Sequence, residues 1–188
     1  MLKKIQGFGK YAAIVGFKNT VMNDVEGFLH KIRNLMPSCV ILQFFDARRI
    51  ATWEHIYFAV LNGMTAFRNE KNISRDLAIE SMLYVSAQHQ INKATKLFGV
   101  TVNSKEIAVL IVGTTLHSIE SALSLFTEKI KADRDDKVLR LSKRKVTEIR
   151  KIYQPSDAEL KAAIKNGEFE RGLIDLIIER MALLAIKK

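Results

Sequence analysis

Two stretches of the chain are too apolar to face water on either side. Cys39-Val-Ile-Leu-Gln-Phe-Phe45 and Glu106-Ile-Ala-Val-Leu-Ile-Val-Gly113 have the length of a strand and almost no polar interruption. A strand with one wet face alternates apolar and polar residues, whereas an unbroken run must be covered on both faces. The rest of the chain must therefore supply cover, and it has the means. Its 188 residues are 48% apolar and 27% charged, enough for a real core and incompatible with global disorder. A third strand is expected over 5–18, where Tyr, Ile, Val and Phe alternate loosely, softened at its start by Gly7 and Gly9.

Helices fill the intervals. Asn23 with Glu26 has the spacing of a capping box for a helix that turns Val25, Phe28, Leu29 and Ile32 inward and stops before Pro37. Ile50, Trp53, Tyr57, Val60, Met64 and Phe67 recur at helical spacing until Asn69–Asn72 break the pattern. Ser74 is placed to N-cap the next helix, whose apolar residues Leu77, Ile79, Met82, Leu83 and Val85 cover more than one side. Ser86-Ala-Gln-His-Gln90 interrupts that pattern, which resumes at Ile91 and ends at a Gly99 cap. Downstream, a helix is expected to start at His117 or Ser118, followed by a polar turn over 133–136 and a short strand over Val138–Leu141. A basic helix over 143–153 should bury Val146, Ile149 and Ile152. A capping box at Ser156 and Glu159 and a largely enclosed helix over 168–186 complete the pattern. The expected architecture is α/β of the α+β kind. It is one helix-dominated domain over 1–188, with a small mixed or antiparallel sheet and several helices packed on it.

Several chemistries find no support. No phosphate-binding glycine loop and no nucleophile elbow occur. Glu54-His55 begins a zinc-protease pattern, but Phe58 stands where helical spacing would require a second ligand. His30, His55, His89 and His117 lack metal-ligand spacing, so no metal and no cofactor are expected. The single Cys39 excludes an internal disulfide; within its apolar run it reads as a buried, inert thiol in a reducing compartment. The start of the chain imitates a signal peptide without a sufficient apolar stretch or a small-residue cleavage site, and no apolar run approaches the roughly 20 residues that cross a bilayer. A cytoplasmic, non-enzymatic protein with no membrane partner is expected.

The net charge of +10 asks for an anionic partner, nucleic acid first. Two segments have suitable residues. Ser86, Gln88, His89 and Gln90 form a polar island whose amides and imidazole suit bases or sugars, although the residues alone favour a solvated helix junction. Lys131, Arg134, Lys137, Arg140, Lys143, Arg144, Lys145, Arg150 and Lys151 form a basic segment that could track phosphates or simply face solvent.

Taken in order, Asp46, Trp53-Glu-His-Ile-Tyr-Phe-Ala59, Asn72-Ile-Ser-Arg75, Ser86-Ala-Gln-His-Gln-Ile91, the strand at 106–112 and Glu179-Arg-Met-Ala-Leu-Leu184 resemble the small Cgi/TPRKB subunit of the KEOPS complex. The resemblance covers nearly the whole chain and is densest between 40 and 112. It departs at Ala87, where the family usually has Gly, and at His89, where it usually has Arg. The resemblance implies a non-catalytic subunit that binds the kinase-like Bud/PRPK-type subunit. It also implies recruitment of tRNA by its 3′ CCA end for threonylcarbamoyl modification of adenosine 37. With that implication, Ser86, Gln88, His89 and Gln90 become RNA-binding candidates. Asn72, Ser74, Lys93 and Lys96 are expected to border them, and the helices carrying Trp53 and Met181 are the candidates for the kinase-like partner. The alternative is a stand-alone basic nucleic-acid-binding protein acting through a charged face.

Overall fold

The computed structural model describes residues 1–186. The chain folds as two compact units, each assembled from two separate segments: Met1–Ala47 with Gly99–Leu139, and Arg48–Phe98 with the described part of the segment that starts at Arg140.

The first unit is built on an antiparallel sheet. Its strands β1 (Leu2–Ile5), β2 (Lys10–Lys18), β3 (Ile41–Asp46) and β4 (Glu106–Gly113) lie in the order β1-β2-β4-β3, and the two-residue β5 (Asp133–Arg134) pairs with β2. β4 is central, with Val109 opposite both Val15 and Phe44. Residues on both faces of β4 are buried, as its unbroken apolar run requires. One face packs under helices α1 (Val25–Leu35) and α5 (Leu116–Lys129). There Phe17, Phe44 and Phe126 meet ring to ring, with centroids 5.1 and 5.5 Å apart, inside a cluster with Val15, Ile32, Val109 and Ile119.

The free side of β2 is completed piecewise. β1 pairs with its first half and β5 with its end. At Gly16, between them, a side chain replaces the missing strand: the Gly16 N–H donates to Asp136 Oδ1 at 2.9 Å, and Asp135 N–H donates to the Gly16 carbonyl at 2.9 Å. A backbone group left unpaired there would cost the desolvation of a buried polar group. Lys18 and Asp135 close the same edge with an ion pair at 3.0 Å.

The second unit is helical: α2 (Trp53–Arg68), α3 (Leu77–Ser86), α4 (Ile91–Phe98), α6 (Lys143–Tyr153), α7 (Asp157–Ala163) and α8 (Phe169–Leu184). α3 is buried from Glu80 to Ser86 without a gap. It approaches α2 closely at Gly63, where a Cβ would lie 3.3 Å from Leu77. The capping box at Ser156 and Glu159 opens α7 as expected.

Several local expectations are corrected. Residues 5–18 are not one strand: Gly7 and Gly9 take positive φ and turn the chain into the β1–β2 hairpin. Cys39 is exposed in the turn before β3, so the thiol is not a core group. The caps of α1 and α3 are Asp24 and Asp76, not Asn23 and Ser74, and Thr115 caps α5. Gly99 does not take a left-handed conformation; the end of α4 is instead held by the Arg49 guanidinium, which donates to the Lys96 carbonyl at 3.1 Å and to the Leu97 carbonyl. Val138 and Leu139 are buried in a 3-10 turn, not a strand, because Asp136 must reach Gly16. α6 buries Lys145, Ile149 and Tyr153, whereas Val146 and Ile152 are only half-buried.

The close approach at Gly16 yields a test. A Cβ there would meet Val138 Cγ2 at 2.4 Å and the Asp135 carbonyl at 2.8 Å. Gly16→Ala should therefore lower stability by about 2 kcal/mol, read as a drop in the urea midpoint with an unchanged m-value.

Candidate functional site

The polar island is the hinge between α3 and α4, and its backbone is tightly specified. α3 ends with Ala87 at φ 49° and ψ 38°, a left-handed cap. The Ala87 N–H donates to the Tyr84 carbonyl at 3.0 Å and the Gln88 N–H to the Leu83 carbonyl at 3.1 Å. These two bonds form a Schellman motif, which satisfies carbonyls the helix itself leaves open. Ser86 is buried and donates to the Leu83 carbonyl at 3.0 Å. Gln88 is half-buried, and His89 and Gln90 are exposed. Lys93 and Lys96 are exposed on α4, which continues directly from Gln90.

One more carbonyl at this helix end, that of Val85, is satisfied from outside. His55 of α2 lies with Nε2 2.9 Å from it, and the Tyr153 hydroxyl of α6 donates to the same oxygen. The Ala51 N–H donates to His55 Nδ1 at 3.3 Å, so Nε2 carries the proton and the ring is neutral. His55 is completely enclosed. Burial pushes it down to about 4; the bond to Val85 opposes that shift, and the Lys145 charge adds to it. Lys145 is itself buried and donates from Nζ to the Ile50 carbonyl at 2.8 Å. Burial raises the Tyr153 phenol far above its usual value, so it acts only as a neutral donor.

The loop before α3 is held by Glu80. Its side-chain oxygens accept from the Ile73 N–H at 3.0 Å and the Ser74 N–H at 2.7 Å, and the residue is fully buried. Asn72 Nδ2 donates to the Ser74 carbonyl at 3.0 Å, and Ser74 Oγ accepts from the Asp76 N–H at 3.2 Å. These bonds fix the loop at the start of α3, and it brings Asn72 and Ile73 to a cleft.

That cleft, about 580 Å³, is lined by Glu70, Lys71, Asn72, Ile73, Tyr84, His89 and the end of α8 at Leu184, Ala185 and Ile186. Asn72 and His89, from two separate candidate segments, meet here. Ser86 and Ser74 are buried supports; Gln88, Gln90, Lys93 and Lys96 do not line the cleft. Burial pushes the Tyr84 phenol up, and the Glu80 charge adds to the effect. An uncharged phenol, an amide, an imidazole and an apolar wall accept a flat polar ring; Lys71 offers a cation and Glu70 an acceptor.

Of the two residues proposed to mark a partner surface, Trp53 is half-buried and stacks edgewise with Tyr57 at 6.1 Å, beside Phe58. Met181 is fully buried, so the side chain supports α8 from within and presents nothing to a partner. Among the described residues no group of three His, Cys, Asp or Glu converges as a metal site would need, and no helix is long and apolar enough to cross a membrane. Glu80, Tyr84, His55 and Tyr153 escape sequence reasoning because a buried polar residue carries no periodic signal. The only local hint is a carboxylate and a histidine within otherwise apolar helix faces.

The family described as "Kinase binding protein CGI-121" matches residues 20–185. A comparison with individual curated proteins found no match.

Two outcomes follow from this geometry. His55 is neutral when folded and protonates near pH 6.5 when unfolded, so its contribution is complete above about pH 6.5 and is lost as pH falls towards 4. Stability measured by urea unfolding should drop by about 3 kcal/mol across that window, and His55→Gln should flatten the dependence. Ala87 carries the strain of a left-handed residue with a Cβ. Ala87→Gly should raise stability by about 1 kcal/mol, visible as a higher melting temperature.

Proposed function

The chain belongs to the CGI-121 family of kinase-binding proteins, and from that premise we propose that it is a non-catalytic accessory subunit of the KEOPS complex. In this reading the whole chain, 1–188, acts as one cytoplasmic functional domain. It binds the kinase-like Bud/PRPK-type subunit and recruits tRNA by its 3′ CCA end, so that adenosine 37 can receive its threonylcarbamoyl group.

The observation that carries the RNA half of the proposal is the meeting of Asn72 and His89 in one cleft beside the buried ring of Tyr84. A single-stranded 3′ end offers what such a cleft can read. Its bases are unstacked, their edges accept and donate, and each ribose brings a 2′-hydroxyl. Glu70 is a suitable acceptor for a cytosine amino group, and the Lys71 ammonium a suitable donor to a phosphate. His89 stands where the family usually has Arg, so the imidazole supplies hydrogen bonding or stacking in place of a permanent charge. The half-exposed aromatic residues Trp53, Tyr57 and Phe58 on α2 support the protein-binding half, since aromatic side chains dominate the centres of protein interfaces.

The test compares binding of full-length tRNA with binding of the same tRNA trimmed of its 3′ CCA. Loss of a base or sugar contact costs about 1–3 kcal/mol, so His89→Ala should weaken intact tRNA by roughly tenfold and leave trimmed tRNA almost unchanged. His89 is exposed, so the variant should keep the parent's melting temperature. Equal weakening of both RNAs would overturn the assignment of the cleft.

A further inference from the structure

α6 is basic on one side and anchored on the other. Its inward residues are Lys145, Ile149 and Tyr153; its exposed residues are Lys143, Arg144, Thr147, Arg150 and Lys151. The exposed set recurs at spacings of three and four and so forms one stripe along the helix. Arg150 and Lys151, at its C-terminal end, pair with Asp157 at 3.7 Å and Glu148 at 3.4 Å. No ion pair is found for Lys143 or Arg144 among the described residues, and Arg140, just before the helix, is exposed as well. Ser142 caps this end through its bond from the Lys145 N–H, at 3.4 Å.

The anchoring relates this stripe to the cleft. Tyr153, the last residue of α6, donates to the Val85 carbonyl, and the polar island begins at the next residue, Ser86. The C-terminal end of α6 is therefore tied to the helix end from which the island emerges, and α6 is about 15 Å long, ten residues at helical rise. Its uncompensated charge is at the far end.

We propose that the outer face of α6, centred on Lys143 and Arg144 with Arg140 beside them, is a second RNA contact that grips the phosphate backbone upstream of the 3′ end held at the cleft. This deepens the RNA reading above and rests on it for the position of the 3′ end. An RNA backbone fits better than the other anionic surfaces. A membrane-surface helix needs an apolar face to insert, and the apolar side of α6 is closed inside the protein at Ile149 and Tyr153. Backbone binding needs only cations at intervals along a rigid element, since phosphates fix position without reading sequence. The division of labour is then physical. The cleft, short of charge, recognises an end, and α6 adds affinity that any RNA of the right shape receives.

The experiment uses the full chain and three proteins: the parent, Lys143→Gln/Arg144→Gln, and Lys31→Gln/Arg33→Gln. The last removes the same two charges from exposed positions of α1. Each is titrated with intact and CCA-trimmed tRNA over a salt series. Each phosphate contact contributes roughly 0.7–0.9 to the slope of log affinity against log salt. The α6 variant should therefore lose about 1.5 of that slope and about thirtyfold in affinity at 0.1 M salt, for both RNAs alike. The α1 variant should stay close to the parent. Equal losses in the two variants would mean a bulk charge effect and overturn the proposal. So would unchanged RNA affinity in the α6 variant, and if binding of the kinase-like partner fell instead, the face would belong to protein. Should the parent bind intact and trimmed tRNA equally while the α6 variant still weakens both, the 3′-end reading fails and the backbone contact stands.

Discussion

The helical unit depends on one carbonyl. The last turn of any helix leaves C=O groups without partners, and burying them unpaired is costly. Val85 sits at such an end in the most enclosed helix of the protein, where water cannot serve. Donors arrive from two distant parts of the chain, the His55 ring of α2 and the Tyr153 hydroxyl of α6. Three helices are therefore registered against each other at a single oxygen. The neutral state of His55 is a consequence: a protonated ring could not accept from the Ala51 N–H, and its charge would be stranded beside Lys145. A fully satisfied buried network of this kind rigidifies what it holds. What it holds is the end of α3, from which Ser86 to Gln90 emerge.

Glu80 plays the matching part at the start of α3. By receiving the N–H groups of Ile73 and Ser74 it converts a run of Asn, Ile, Ser and Arg into a fixed wall of the cleft. The loop and the end of α3 that border the cleft are thus set by buried polar groups. The half-buried Asn72 and the exposed His89 line the cleft; Glu80, His55 and Tyr153 hold the segments that carry them. Long loops could not place those groups so narrowly, because each freely rotating residue would have to be ordered on binding at an entropic cost.

Elements with a strong periodic or apolar signal were readable, and those built by a remote partner were not. β4 lies at Glu106–Gly113 and α6 at Lys143–Tyr153, as their patterns require. The Ser156–Glu159 capping box is local chemistry and is found in place. β3 starts only at Ile41 and Cys39 is exposed, because an apolar neighbourhood in sequence does not guarantee cover in space. Val138–Leu141 has strand composition, but Asp136 is drawn to the Gly16 N–H and the chain must turn to deliver it. On α6, Lys145 and Tyr153 face inward because each finds a buried backbone acceptor, a reason that hydrophobic periodicity cannot register. For the site, Asn72 and His89 were legible as polar breaks in apolar segments, and Tyr84 was hidden by looking like any other core residue.

The sequence by itself determined the fold class. Unbroken apolar strands demand cover on both faces, helical periodicity supplies it, and a charge of +10 favours anionic partners. Only the tertiary structure decided which residues form a site. Convergence of Asn72 with His89, burial of Met181, and inward capture of His55, Lys145 and Tyr153 all depend on contacts between residues far apart in the chain. Local patterns report the energy of a residue against water. The position of a buried polar group is set by a donor or acceptor elsewhere in the fold, and that pairing exists only once the chain has closed around it.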